Sequence, residues 1–315
     1  MISGVVRRPT ALLSMTLGGV KRSARYLTLG HTYAAASSSI ASKPHFQSFF
    51  SREQIEHFNS NGYVVAPSDF LDEREKESVV RWATELSKWH LSKGKWTQYF
   101  EAGSSSDPVL CRIENFLQYH RSMDQFVRGK ITEAVSELIN EPAVLYKEKI
   151  NFKFPGAKGF PAHQDAPAYI SFGMKYHVTC LLCADPATEE NGCLQVVPRH
   201  PSLGMLPHPN GQLDPELVQQ WERENAWVSL PAEVGDAIFF DSLVPHRSME
   251  NRSKTESRRI FYLTFNPLQD GDRREGYYNM KREMFPPDNE KVPGRDYSEG
   301  AKIFNLSTPI RNKKD

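Results

Sequence analysis

The chain has 315 residues, with 39 Lys and Arg against 38 Asp and Glu, and 39% of it is hydrophobic. That is the composition of an ordinary folded protein, which excludes disordered, collagenous and disulfide-scaffold classes. A net charge of +1 gives no overall pull towards nucleic acid, and no run of about 18 apolar residues offers a membrane span.

The first 52 residues contain no acidic side chain but carry Arg7, Arg8, Lys21, Arg22, Arg25, Lys43 and Arg52 among many Ser, Thr and Ala. The rest of the chain then holds 32 basic and 38 acidic groups, a balance of −6. An Arg-rich, Ser-rich, acid-free start is the pattern of an organellar transit peptide, so residues 1–44 are read as one, addressed to the mitochondrial matrix. A chloroplast or secretory address and a disordered tail on a cytoplasmic protein are the alternatives. Residues 45–315 suit a single domain. Cys111, Cys180, Cys183 and Cys193 are too few for a disulfide framework and are read as reduced thiols of an intracellular compartment.

Ser51-Arg-Glu-Gln54 reads as a capping box opening a helix that Asn61-Gly62 stops. A short strand, Tyr63–Ala66, follows, then a helix from Glu73 to His90. Ser122 is expected to cap a third helix reaching Asn140, with Phe126, Ile131, Val135 and Leu138 near helical spacing. Beyond Pro142 the pattern changes. Segments 143–153, 176–184, 194–197, 226–230, 237–241, 244–248 and 258–266 are short, β-branched or aromatic, and punctuated by Gly, Pro, Asn and Asp. One amphipathic helix, Asp214–Asn225, interrupts them. Helices first and strands afterwards indicate a mainly β sandwich or barrel with helices packed outside.

His163-Gln-Asp165 carries the sharpest chemistry. A histidine and a carboxylate two residues apart project to one side of an extended chain and can reach one metal ion. The pattern is weak alone, since about one such tripeptide arises by chance at this composition. Its context strengthens it. The segment Gly235-Asp-Ala-Ile-Phe-Phe-Asp-Ser-Leu-Val-Pro-His246 is a turn and an aromatic strand that deliver a second histidine. Two His and one carboxylate make a facial triad that leaves positions open on non-haem Fe(II). Arg258-Arg-Ile-Phe-Tyr-Leu-Thr-Phe265 alternates as a strand, so one of Arg258 and Arg259 faces inward, where a buried guanidinium invites a bidentate carboxylate such as that of 2-oxoglutarate. Cys180-Leu-Leu-Cys183 puts its thiols on opposite sides of a strand and does not suit zinc. His177 reads as a core residue, and His200 and His208 as loop residues.

Together these motifs, with Asn191-Gly-Cys-Leu-Gln-Val-Val-Pro198 between them and the opening Gln54–Tyr63, resemble the phytanoyl-CoA dioxygenase family of Fe(II)/2-oxoglutarate oxygenases over roughly residues 51–266. The resemblance implies a double-stranded β-helix, or jelly-roll, core. It implies Fe(II) held by His163, Asp165 and His246, with 2-oxoglutarate and O₂ as co-substrates and Arg258 as the salt-bridge partner of 2-oxoglutarate. Lys147, Lys149, Asn151 and Lys153 share a strand face before the metal loop. By resemblance Asn151 and Lys147 contact 2-oxoglutarate, while Gln164, Tyr169 and Arg112 are candidates for the substrate side. Halogenases of this fold lack the carboxylate ligand, so Asp165 points to hydroxylation of a small organic metabolite. Residues 146–169 look most like members that oxidise small aminoalkyl-phosphonates. An acyl-CoA hydroxylase of the same family, a non-catalytic jelly-roll binding module and a zinc hydrolase on the same ligands are the alternatives.

Overall fold

The N-terminal helices begin where the sequence places their caps. The computed structural model describes residues 48–101, 109–170, 172–198, 204–208, 211–305 and 308–310, so the expected transit peptide and His200 lie outside the described residues. In α1 (Arg52–Asn61) the Ser51 hydroxyl accepts the Gln54 N–H at 3.2 Å, and the Gln54 side chain accepts the Ser51 N–H at 3.0 Å. Gly62, at φ +77°, ends the helix in the left-handed region that a Cβ disfavours. β1 (Tyr63–Val65) follows. α2 (Glu73–Ser87) is capped by a second box, Asp72 with Glu75, and ends short of His90.

The expected third helix is corrected in two respects. It divides into α3 (Arg121–Phe126) and α4 (Thr132–Ile139), joined by a π-helical turn over Val127–Ile131. There the Thr132 hydroxyl donates to the Val127 carbonyl, five residues back, at 2.9 Å. Its cap is His120, whose Nδ1 accepts the Met123 N–H at 3.4 Å, whereas the Ser122 hydroxyl accepts the Trp82 indole N–H. The N-terminal third is also less helical than expected, because β2 (Thr97–Glu101) and β3 (Val109–Glu114) lie within it.

The remaining strands are β4 (Ala143–Lys153), β5 (Phe160–His163), β6 (Val178–Cys183), β7 (Leu194–Val196), β8 (Val228–Leu230), β9 (Ala237–Asp241), β10 (His246–Ser248) and β11 (Arg258–Pro267). The helices among and after them are α5 (Ala166–Ile170), α6 (Pro215–Arg223), α7 (Arg274–Met284) and α8 (Ser298–Phe304). All pairings are antiparallel. They build a seven-stranded sheet, β1-β9-β6-β11-β4-β3-β2, and a four-stranded sheet, β5-β10-β7-β8. This is the expected mainly β, jelly-roll architecture with flanking helices.

The large sheet buries both faces, and its strands alternate between two interiors. Phe261, Leu263 and Phe265 of β11 join Ile150, Phe152, Leu182 and Phe239 against Val79, Ala83 and Leu86 of α2 and Val135 and Leu138 of α4. Ile260 and Tyr262 turn the other way, with Leu181 and Ile238, towards Leu194, Val196 and Leu230 of the small sheet. Cys180 and Cys183 fall in different interiors, as the strand reading requires, and all four thiols are free and buried. On β4 the second interior receives Lys153, Asn151 and Lys149, paired across to Arg258, Ile260 and Tyr262. β3 adds Arg112 opposite Asn151 and Glu114 opposite Lys149. The polar stripe of the large sheet thus faces the loop that follows β5.

Candidate metal centre

β5 and β10 pair so that His163 stands directly opposite His246. Strand register therefore brings together two residues 83 positions apart in sequence, and their rings lie 4.2 Å apart between centroids. Asp165 follows β5 at the entry to α5, with its Oδ1 3.8 Å from His163 Nε2. One ligand atom from each of His163, Asp165 and His246 lies within 4.8 Å of the others, and no other such group occurs among the described residues.

The donor chemistry suits a divalent transition metal. His163 Nδ1 is 2.7 Å from the Pro161 carbonyl and His246 Nδ1 is 3.0 Å from the Val244 carbonyl. Each carbonyl takes the Nδ1–H, fixing the tautomer that frees Nε2 for a metal. Burial, reinforced by the neighbouring imidazole, pushes His163 down to about 3, and burial also lowers His246, so both rings are neutral at physiological pH. Burial alone would raise Asp165, but the positive charge around it, with Lys149 close by, holds it below the usual carboxylate range. Two neutral imidazoles and one carboxylate on adjacent segments form a triad with open positions.

Two cavities meet at this triad and share Lys149, Phe160, His163 and Asp165. The smaller, about 30 Å³, is also lined by Asn151, His246, Ser248 and Tyr262. Arg258 lies on the same sheet face as Tyr262 and is fully buried. Its Nη1 donates to the Gly192 carbonyl at 2.5 Å, and its Nε and Nη2 find no partner among the described residues. A buried guanidinium with two adjacent N–H groups unmatched fits a carboxylate in bidentate geometry. Its cross-strand neighbour Lys153 donates to Ser248 Oγ at 2.8 Å and to the Met249 carbonyl. Gly192 takes φ +81°, and a Cβ there would overlap the Met249 carbonyl oxygen. The Asn191-Gly192 turn is thus glycine-dependent and supplies the carbonyl that orients Arg258. Arg259 faces the helices, where it makes two bonds to Asp185, at 2.8 and 2.6 Å, and one to Thr84.

The larger cavity, about 60 Å³, is lined by Arg112, Lys147 and Lys149 and by Tyr169 and Tyr277. The Lys147 ammonium lies 4.4 Å from the Tyr169 ring centre and 5.5 Å from that of Tyr277. Burial lowers Lys147 well below its ordinary value and, with Arg112 nearby, pushes Lys149 down to about 8. Two lysines whose charge burial disfavours thus sit beside the Arg112 guanidinium in one small space, and an anionic occupant would stabilise their protonated forms.

Among the sequence candidates, Asn151 lies on the smaller cavity and accepts the Arg112 Nε–H at 2.9 Å. Lys147 lies on the larger cavity, not beside Arg258. Tyr169 and Arg112 line that cavity too. Gln164 touches it, but its side-chain amide binds the Gly204 and Leu243 carbonyls and the Leu206 N–H, so it clamps the 204–208 loop. His208 Nε2 accepts the Gln164 N–H in that same loop. His177 is buried against Tyr146 and Tyr169, as a core residue would be. Lys149 was recognisable only as part of a strand face. Phe160, Tyr262 and Tyr277 escaped sequence reasoning because single aromatics carry no chemical signature.

The sequence profile of the family described as phytanoyl-CoA dioxygenase (PhyH) matches residues 58–260. The chain is 42% identical over 267 residues to a 2-aminoethylphosphonate dioxygenase of an uncultured bacterium, covering 84% of this chain and 100% of that protein. It is 41% identical over 234 residues to a methylphosphonate hydroxylase of Gimesia maris, covering 74% and 86%. In fold it is similar to EctD from S. alaskensis, solved with 2-oxoglutarate and 5-hydroxyectoine, at a TM-score of 0.60 and 17% identity over 73% of this chain and 81% of that one.

Proposed function

The chain belongs to the phytanoyl-CoA dioxygenase family of non-haem Fe(II)/2-oxoglutarate dioxygenases, and from that premise we propose that it hydroxylates a small phosphonate. The observation that carries the substrate class is the cluster of Arg112, Lys147 and Lys149 around a cavity bordered by His163 and Asp165. A phosphonate offers three oxygens and negative charge to the N–H donors of these three side chains, and its carbon substituent is then held beside the triad. Two curated relatives act, by name, on phosphonates. The cavity's small size favours a compact molecule over an acyl-CoA.

His163, Asp165 and His246 would hold Fe(II), and Arg258 would receive the distal carboxylate of 2-oxoglutarate, with Asn151 beside the smaller cavity. When bound, iron and 2-oxoglutarate supply oxidative decarboxylation coupled to insertion of one oxygen atom from O₂ into a substrate C–H bond. The chain's own residues bind, orient and exclude water. Pro161 and Val244 fix the two imidazoles, and Arg112, Lys147 and Lys149 fix the substrate head group. The test is aerobic incubation of the protein with Fe(II), 2-oxoglutarate and either 2-aminoethylphosphonate or methylphosphonate. Phosphorus NMR should show a hydroxylated product and succinate should form in equal amount. No product from either compound would sink the substrate class, while succinate formed with another small acid would redirect it.

Residues 1–44 are proposed to address the mitochondrial matrix, on the strength of their acid-free, Arg- and Ser-rich composition. A fluorescent protein fused behind them should enter mitochondria, and cytosolic fluorescence would refute the address.

A further inference from the structure

The last long helix contributes to the larger cavity from beyond residue 260, where the family profile ends. α7 carries Arg274, Tyr277, Tyr278 and Lys281 at positions i, i+3, i+4 and i+7, one stripe of the helix. Arg274 pairs with the buried Glu148 at 2.6 Å, and the Tyr278 hydroxyl accepts the Glu148 N–H at 3.0 Å. Tyr277 lines the cavity. One turn further on, Lys281 Nζ reaches Glu114 Oε2 at 2.5 Å, with side-chain exposures of 3% and 1%.

Glu114 also takes Arg112. Arg112 Nη1 lies 3.3 Å from Glu114 Oε1, and Arg112 Nε donates to Asn151 at 2.9 Å. A continuous line of contacts, Lys281–Glu114–Arg112–Asn151, thus runs from the C-terminal helix to the cavity wall. Burial would raise Glu114, but Lys281 and then Arg112 hold it down to about 2, so the carboxylate is ionised. Without Lys281, that carboxylate would offset more of the guanidinium charge, with Lys147 as its remaining near cation. Lys281 provides a second cation for it, and the trio keeps one net positive charge. A buried ion pair of this kind adds little stability over an apolar pair, and its best-attested use is to fix geometry.

We propose that Lys281 is a positioning residue that holds Arg112, through Glu114, in the orientation that receives the anionic head of the substrate. Part of substrate selection is then set by the C-terminal helix. This rests on the phosphonate reading.

The experiment compares wild type, Lys281→Met and Lys281→Arg, each loaded with Fe(II) and 2-oxoglutarate without oxygen. Methylphosphonate and 2-aminoethylphosphonate binding are measured by calorimetry, 2-oxoglutarate binding by its visible charge-transfer band, and folding by thermal melts. Lys281→Met should weaken phosphonate binding at least tenfold and leave 2-oxoglutarate binding within twofold. Lys281→Arg should restore phosphonate binding to within threefold of wild type. If Lys281→Met does not fold, the double variant Lys281→Met/Glu114→Gln, which buries no unpaired charge at that pair, replaces it with the same expectation. Unchanged phosphonate binding in a folded variant, or equal loss for both ligands, overturns the proposal alone. Wild type that binds neither phosphonate removes the functional reading and this proposal with it.

Discussion

Replacing Arg258 by alanine tests the co-substrate site directly. Arg258 is fully buried, anchored by one bond to the Gly192 carbonyl, with Nε and Nη2 unmatched among the described residues. Two charge-assisted hydrogen bonds to a carboxylate are worth about 3 kcal/mol at the low end of their range, which is roughly a hundredfold in affinity. Arg258→Ala should therefore raise the 2-oxoglutarate Kd by roughly that factor. Arg258→Lys keeps a charge but not the planar fork, and should fall between, at about tenfold. The assay is anaerobic titration of Fe(II)-loaded protein, following the visible charge-transfer band. Arg259→Ala is the control. It breaks the bidentate contact with Asp185, loses about 1 kcal/mol of stability, and leaves the Kd unchanged. A folded Arg258→Ala protein with a Kd within twofold of wild type would refute the assignment, and a weakened Arg259→Ala protein would shift it by one residue.

His163→Ala should abolish the charge-transfer band and iron retention through dialysis while circular dichroism stays native; iron bound at unit stoichiometry would remove His163 from the ligand set. Gly192→Ala forces a Cβ into a φ of +81° against the Met249 carbonyl, so it should cost about 1–3 kcal/mol in stability and weaken 2-oxoglutarate binding by disturbing Arg258, seen in a melt and the same titration. Lys149 loses its proton near pH 8 in the folded protein against an ordinary value of 10.5, so kcat/KM for the phosphonate should fall tenfold per unit above pH 8. The unfolded chain binds the extra proton between those values, so this group's contribution to stability rises over that window; activity loss that tracks unfolding would contradict the assignment.

The sequence was most legible where a periodicity and a chemical signature coincide. The capping box at Ser51, the strands over 143–153 and 237–241, and the His163/Asp165/His246 set all match the structure in position. Some of the shorter strands were lost. β3 places Arg112 and Glu114 inside, and β5 contains Pro161, so neither reads as an apolar strand. α7 was lost for a related reason: its inward stripe is Arg274, Tyr277, Tyr278 and Lys281, whose charges mask the helical period. Helix caps depend on tertiary contacts too. Ser122 is a good cap by type, but Trp82 engages its hydroxyl and His120 takes the role. Placing Lys147 on the larger cavity needed the position of Tyr277, contributed from 130 residues downstream.

Alternation along β4 and β11 has a consequence for how this protein can vary. Arg258, Ile260 and Tyr262 face the interior between the two sheets, while Phe261, Leu263 and Phe265 face the helices. Neighbouring codons therefore answer to different selective pressures. A saturation screen that scores cellular abundance and turnover separately should yield two maps out of phase by one residue along these strands. New substrate preferences could then be bred by changing every second position, with the intervening residues kept as an unaltered frame.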